Sequence, residues 1–97
     1  MTEMQLRLIK ALADETRLKI IYFLRDGEKC VCTIYPYLNT TQSNASQHLR
    51  ILRDANILRM RREGKMIFYS VADRDVFTAL DRLSGIASRS LDNLKKR

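Results

Sequence analysis

Apolar residues recur at helical spacing through the first half of the chain, change to alternation near position 57, and return to helical spacing from position 76. Met4 to Ala13 carries Met4, Leu8, Ile9 and Leu12 on one side of a helix, with Leu6 outside that stripe as a hint of a second contact surface. Asp14 reads as the N-cap of a second helix, since its carboxylate can accept a first-turn N–H, and Glu15 suits the positive end of the dipole. Leu18, Ile21 and Leu24 then repeat up to Arg25, and Gly27 closes the element.

Proline lacks an N–H and fits best in a helix's first turn, so Pro36 places the third helix. With Thr33 as N-cap, Pro36 falls at the third position and the helix runs from Ile34 to Leu38. Cys30 and Cys32 then fall before it or at its mouth, not in its middle. Asn39 and Thr40 form a turn, and Thr41 caps a fourth helix with Ala45, Leu49 and Leu52 inward and Ile51 at the edge. The other face of that helix carries Gln42, Ser43, Asn44, Ser46, Gln47 and Arg50, with Arg53 beyond; Thr41 and His48 join these DNA-binding candidates, His48 as a packing or phosphate contact. Lys, Glu and Arg would solubilise a helix with better propensity. Short amides and hydroxyls suit a helix in a DNA major groove, where Asn and Gln pair with adenine edges and Ser reaches a base or phosphate. The plainer alternative is a solvated helix that happens to be rich in Ser, Asn and Gln. Two helices joined by so tight a turn form a helix-turn-helix.

Asn56 stands where a left-handed residue ends the fourth helix. Ile57 to Glu63 and Met66 to Val71 follow as strands of a hairpin around Glu63-Gly64-Lys65, with Gly64 at positive φ. Arg50, Arg53, Arg59, Arg61, Arg62 and Lys65 outnumber Asp54 and Glu63 between positions 50 and 65. A helix-turn-helix followed by a basic hairpin predicts a winged helix, mainly α with a small β wing that grips phosphates or the minor groove. Asp73 is the expected cap of a last helix, with Asp75 in its first turn. Val76, Leu80, Leu83, Ala87, Leu91 and Leu94 form a stripe too long for a small body to cover. It predicts a homodimer seam, with Leu8 of the first helix beside it; folding back over the core is the alternative.

With 97 residues and no repeat or linker, one domain spanning 1–97 is expected. Lys and Arg number 18 against 11 Asp and Glu, a surplus that favours a polyanionic partner such as double-stranded DNA bearing an imperfect palindrome. The longest apolar run, Ile20 to Leu24, is far short of a membrane span, and the N-terminal stretch lacks a signal-peptide core, so no membrane partner and a cytoplasmic location are expected. One histidine, no base beside either cysteine and no glycine-rich phosphate loop leave an enzyme without a catalytic site or permanent cofactor. A protein-interaction module is the remaining alternative, and the basic run Arg59 to Lys65 speaks against it.

Cys30 and Cys32 are expected as reduced thiols, because a bridge so local closes almost no loop. Just outside a helix, both sulfurs can turn to one thiophilic ion, with Lys29 and the helix start favouring thiolate. Arsenic(III), antimony(III) or a soft divalent ion fits such ligands.

The ordered set Leu12-Ala-Asp-Glu-Thr-Arg-Leu18, Cys30-Val-Cys32, Gln42-Ser43, Ser46-Gln-His-Leu49, Leu52-Arg53, Arg61-Arg-Glu-Gly-Lys65 and Phe68-Tyr69 resembles the winged-helix repressors of the arsenical-resistance and metallothionein-repressor (ArsR–SmtB) type. The resemblance covers essentially the whole chain. It implies a homodimer, with first and last helices at the interface, that binds operator DNA and releases it when an effector binds. Asn56 stands where these proteins usually have Gly. One type of arsenic sensor in the family has a third cysteine where this chain has Tyr35. Cadmium and lead sensors add cysteines near the N-terminus, and zinc and nickel sensors use Asp and His on the last helix; here that helix offers Asp73, Asp75, Asp81 and Asp92 but no His. Three uses of the pair remain open: an arsenic(III) site completed by an external ligand, a redox or sulfur-species sensor, or no sensory use.

Overall fold

The computed structural model describes residues 1–95. Helix α1 (Glu3–Leu12) opens on a capping box in which Thr2 Oγ1 accepts the N–H of Gln5 and the Gln5 amide oxygen accepts that of Thr2. This start, one residue ahead of the expected Met4, satisfies two orphan donors. Asp14 caps α2 (Glu15–Phe23) through the Arg17 N–H, as its sequence position predicts. Gly27 has φ +134° and ends the following turn.

The third helix departs from expectation. Helix α3 spans Val31–Tyr37, three residues earlier than Pro36 suggested, and its N-cap is Cys30. Cys30 is extended (φ −69°, ψ 143°), and its sulfur accepts the Cys32 N–H at 3.1 Å. The Thr33 hydroxyl donates to the Cys30 carbonyl at 2.8 Å instead of capping. Pro36 therefore lies inside the helix and leaves one carbonyl without its usual donor, which so short a helix tolerates. Cys30 also ends a two-residue strand, β1 (Lys29–Cys30), that the alternation did not reveal.

Asn39 (φ +54°) makes the turn into α4 (Gln42–Asp54), whose N-cap Thr41 accepts the Asn44 N–H at 3.1 Å. The helix ends in a Schellman motif: Asn56 (φ +61°) donates to Arg53 O and Ile57 to Leu52 O. Asn takes the place of Gly there because its short polar side chain tolerates the left-handed region. Strands β2 (Leu58–Glu63) and β3 (Met66–Val71) pair antiparallel around Gly64, at φ +59°, and Lys65. The sheet order is β1-β3-β2, so Cys30 faces Phe68 on β3 and Phe68 faces Arg61 on β2.

Ile20, Ile21 and Leu24 of the α2 segment, Ile34 of α3, and Leu49 and Leu52 of α4 are fully buried together. Each such side chain contributes about 1.5–3 kcal/mol relative to exposure. Helix α5 (Asp75–Lys95) starts beside Asp73, whose Oδ1 accepts the Asp75 N–H at 3.0 Å. Only its first turns reach the core, through Phe77 and Leu80, so the stripe does not fold back. The architecture is mainly helical with a small antiparallel wing, as the sequence predicted. Among the described residues no helix is long and apolar enough to cross a membrane.

Candidate nucleic-acid interface and cysteine site

The inward Ala45–Leu49–Leu52 stripe fixes the roll of α4, and the opposite face follows from it. Gln42, Ser43, Ser46, Gln47 and Arg50 line one open surface. Thr41 and Asn44 border it but are partly engaged, since the Asn44 amide donates to Thr40 Oγ1 at 2.9 Å. Arg53 turns aside to Met60, with Nη1 3.4 Å from the sulfur.

His48 does not belong to this open face. Its side chain is only 19% exposed and points at the α1–α2 junction, where Nδ1 lies 3.3 Å from Arg17 Nη1 and 3.8 Å from the Asp14 carboxylate. Arg17 also donates to Ala11 O at 2.6 Å and Lys10 O at 3.3 Å, so one guanidinium ties α1, α2 and α4 together. The hydrogen bond from the Arg17 N–H, the largest influence, holds the Asp14 carboxyl below the usual carboxylate range; burial, the next largest, opposes it, and the Arg17 and His48 side chains reinforce it. Of the two expected uses of His48, packing or a phosphate contact, this placement supports packing, as a joint between helices. The signal was available: His48 is three residues after Ala45 and four before Leu52, on the edge of the inward stripe.

The wing divides its cations. Arg61 is held by Glu28 (2.7 and 3.0 Å) and Glu63 (2.6 Å) and lies over the Phe68 ring at 4.6 Å. Hydrogen bonding to Arg61 lowers the Glu28 carboxyl, and the two carboxylates raise the guanidinium in return. Arg62 and Lys65 are exposed, and among the described residues neither has a hydrogen-bond or ion-pair partner. They are the wing's free charges for phosphate.

The cysteines differ from the expected reduced pair: Cys30 and Cys32 are joined as a disulfide, with Cα atoms 5.1 Å apart. An extended residue feeding directly into a helical turn swings both Cβ atoms to one side, so the two sulfurs converge at the mouth of the helix. Cys30 is 8% exposed, whereas Cys32 is open to solvent. Lys29 gives the pair no support, because its ammonium bonds Asp26 at 2.9 Å and sits over Phe23 at 5.1 Å. A cleft of about 190 Å³ opens beside the sulfurs, and Tyr35, Gln42, Lys65 and Met66 share its walls. The start of the α4 face, the wing tip and the cysteines thus meet in one place. Among the described residues no cluster of three His, Cys, Asp or Glu side chains is arranged to hold a metal ion.

Residues 14–59, the α2 to early β2 region, match the model of the bacterial regulatory protein arsR family. The chain is 42% identical over 71 residues to a cadmium resistance transcriptional regulatory protein CadC homolog of Staphylococcus aureus, covering 72% of this chain and 59% of that protein. It is 43% identical over 68 residues to the arsenical resistance operon repressor of Bacillus subtilis, covering 69% and 65%. The structure of HlyU from Vibrio cholerae superposes with a TM-score of 0.75 at 34% identity, over 82% of this chain and 90% of that one. This chain belongs to the ArsR–SmtB family of winged-helix transcriptional regulators. The family is one of DNA-binding regulators and not of enzymes. The match spans less than two thirds of the length of the two curated relatives.

In this ArsR-family chain the stripe on α5 splits. Leu80 is 6% exposed and belongs to the protomer's own core, and Val76 packs partly against it, as Leu8 does from α1. The open part of the stripe is Leu83, Ala87, Leu91 and Leu94, joined by Ile86, which the spacing count missed although it lies three residues from Leu83. A groove between α1 and α5, lined by Met4, Leu8, Ile9 and Val76 among others, continues that apolar surface.

Proposed function

We propose that this ArsR-family chain is an effector-responsive transcriptional repressor that binds operator DNA as a homodimer and is released when a thiophilic ligand, arsenic(III) first, takes Cys30 and Cys32. One observation carries this reading: the cysteine pair shares a cleft with Gln42 of the reading face and Lys65 of the wing tip. Gln42, Ser43, Ser46, Gln47 and Arg50 supply base contacts from the open face, with Thr41, Asn44 and Arg53 at its margins, while Arg62 and Lys65 hold phosphate. The exposed α5 stripe supplies the second copy, which sets two reading helices at fixed spacing on a palindrome.

The donor set fits a soft ligand in part. Two sulfurs converge, and once reduced they offer two thiolates; among the described residues no third Cys, His, Asp or Glu joins them, and Tyr35 lines the cleft instead. The third position therefore falls to an external donor. Two linkages join the pair to the DNA face. Cys30 is hydrogen-bonded through β1 to β3 of the wing, and Cys32 lies in the first turn of α3, which packs on α4. Ligation that changes the sulfur separation moves the wing and the reading helix relative to each other, and a coupling of about 3 kcal/mol changes operator affinity more than a hundredfold. The relatives' names divide between cadmium and arsenical resistance, and arsenic(III) ranks first here because two thiolates and one external donor complete its three-coordinate preference.

The test uses a duplex selected by the protein from a random pool. The reduced protein should release it on addition of arsenite, and the Cys30→Ser, Cys32→Ser double variant should not. Gln47→Ala should lose discrimination at particular base pairs, and Arg62→Gln should weaken binding to every sequence and reduce the salt slope by about one. Absence of any preferred duplex, or arsenite release of the double variant, refutes the reading. The disulfide itself favours one second reading, a redox switch on the same thiols; release by an oxidant but not by arsenite selects it.

A further inference from the structure

The cleft has a chemistry of its own beyond a pair of sulfurs. It is smaller than the roughly 300 Å³ at which drug-sized pockets begin, so its occupant is a small molecule and not a nucleotide or large cofactor. Its reactive wall is a disulfide with two unlike ends, Cys32 exposed and Cys30 nearly buried. Gln42 and Lys65 line it as well, and Lys65 is the cation among its lining residues. The two carboxylates that could neutralise Lys65 at the wing, Glu28 and Glu63, are both bonded to Arg61. The cleft is therefore electropositive beside an attackable sulfur.

We propose that this cleft binds a small anionic thiol, which opens the disulfide and remains joined to Cys32 with its carboxylate against Lys65. The thiolate attacks the exposed Cys32 sulfur in line with the S–S bond. A new disulfide forms between the small thiol and Cys32, and the Cys30 sulfur leaves with the bonding pair as a thiolate. No other oxidant or reductant enters, since the thiol sulfur is oxidised as Cys30 is reduced. The asymmetry of the site sets the direction. Only Cys32 is accessible, and the leaving Cys30 sulfur already accepts the Cys32 N–H at 3.1 Å, a bond that strengthens when the sulfur carries charge. The adduct then fills the space between Gln42 and Lys65. Its effect on DNA rests on the proposed role of that surface; its formation does not.

The Cys30→Ser variant isolates Cys32 for a clean measurement of the recognition step. Exchange with glutathione disulfide (anionic), cystamine (cationic) and hydroxyethyl disulfide (neutral) is followed by intact-protein mass spectrometry, with circular dichroism as the check on folding. After correction for each reagent's rate with a free cysteine peptide, the anionic reagent should react about fivefold faster than the cationic one, and Lys65→Gln in the same background should abolish the preference. The Cys32→Ser variant, which leaves the buried Cys30, should react more slowly with all three. In the unaltered disulfide protein, acid-quenched reaction with glutathione should place the added thiol on Cys32. No charge preference, a preference that survives Lys65→Gln, or an adduct on Cys30 overturns the proposal. The DNA arm is separate: if the Cys32 adduct and arsenite both leave duplex binding unchanged, the switch reading of the pair falls, while failure of the charge preference with arsenite release intact removes only the thiol cleft.

Discussion

Replacing Leu83 with Asp should convert this protein into a folded monomer. In the isolated chain Leu83, Ile86, Leu91 and Leu94 keep 57%, 51%, 53% and 63% of their surface exposed. Half the surface of such a side chain is about 100 Å², so covering it contributes about 2.5 kcal/mol. Four of these on each of two chains give about 20 kcal/mol, against about 10 kcal/mol for lost rigid-body freedom and side-chain ordering. The remainder corresponds to a dimer that persists well below micromolar concentration. Leu83→Asp removes one contribution from each chain and sets two carboxylates in an apolar seam, a loss of at least about 5 kcal/mol and more than a thousandfold in the dissociation constant. The fold should survive, because the protomer core ends at Leu80. Sedimentation equilibrium from nanomolar to tens of micromolar concentration, with circular dichroism alongside, reads both effects. An unaltered protein that is monomeric at micromolar concentration, or a variant that dimerises as tightly, refutes the argument.

Asp14→Ala should destabilise by about 1 kcal/mol at neutral pH through loss of the α2 cap. Because the folded-state pKa of Asp14 lies below its ordinary value, its contribution is complete above the carboxylate range and disappears as pH falls through the folded value, so denaturant curves of the two proteins should converge below about pH 4. Arg61→Gln should change the salt slope of DNA binding much less than Arg62→Gln, since Arg61 is already occupied by two carboxylates; equal effects in a titration against salt would show that Arg61 reaches phosphate. Leu49→Ala, at a side chain 1% exposed where α4 meets the core, should cost about 3 kcal/mol in urea unfolding, and a change under 1 kcal/mol would mean that the core is not packed as described.

Where a side chain's neighbours lie within one turn of it, the sequence was enough to place it. Asp14, Thr41 and Asn56 each satisfy backbone groups a few residues away, Gly64 supplies the positive φ of its turn, and each stands at the predicted position and conformation. The α3 boundary failed for the converse reason. Thr33 and Pro36 followed local preferences, but pairing of β1 with β3 held Cys30 extended and made its sulfur the cap, a role for which cysteine has no usual preference. A two-residue strand has too few positions to show alternation, so this pairing had no local signature. The same limit hid the Glu28–Arg61 clamp, whose partners are 33 residues apart, and left Arg61 grouped with the free cations of the wing. Helix α5 was legible as a stripe but not as two stripes, because only packing decides that Leu80 goes inward and Leu83 does not.

His48 shows how a single substitution can separate a base contact from a structural joint on the same helix. Nδ1 of His48 lies 3.3 Å from Nη1 of Arg17, within hydrogen-bond distance. That contact reinforces the inward Ala45–Leu49–Leu52 stripe in holding α4 against the α1–α2 junction, and with it the aim of Gln42, Ser46 and Gln47. His48→Ala should lose one partly buried hydrogen bond and some packing, about 1–2 kcal/mol, and lower the melting temperature by several degrees at fixed protein concentration. Operator affinity should fall by a similar factor for every single-base variant of the selected duplex, with the salt slope unchanged, since no phosphate contact is removed. Gln47→Ala should behave in the opposite way, with the melting temperature unchanged and the loss concentrated at particular base pairs. A His48→Ala protein of unaltered stability that loses discrimination at one base pair would place the imidazole in the groove and refute the joint.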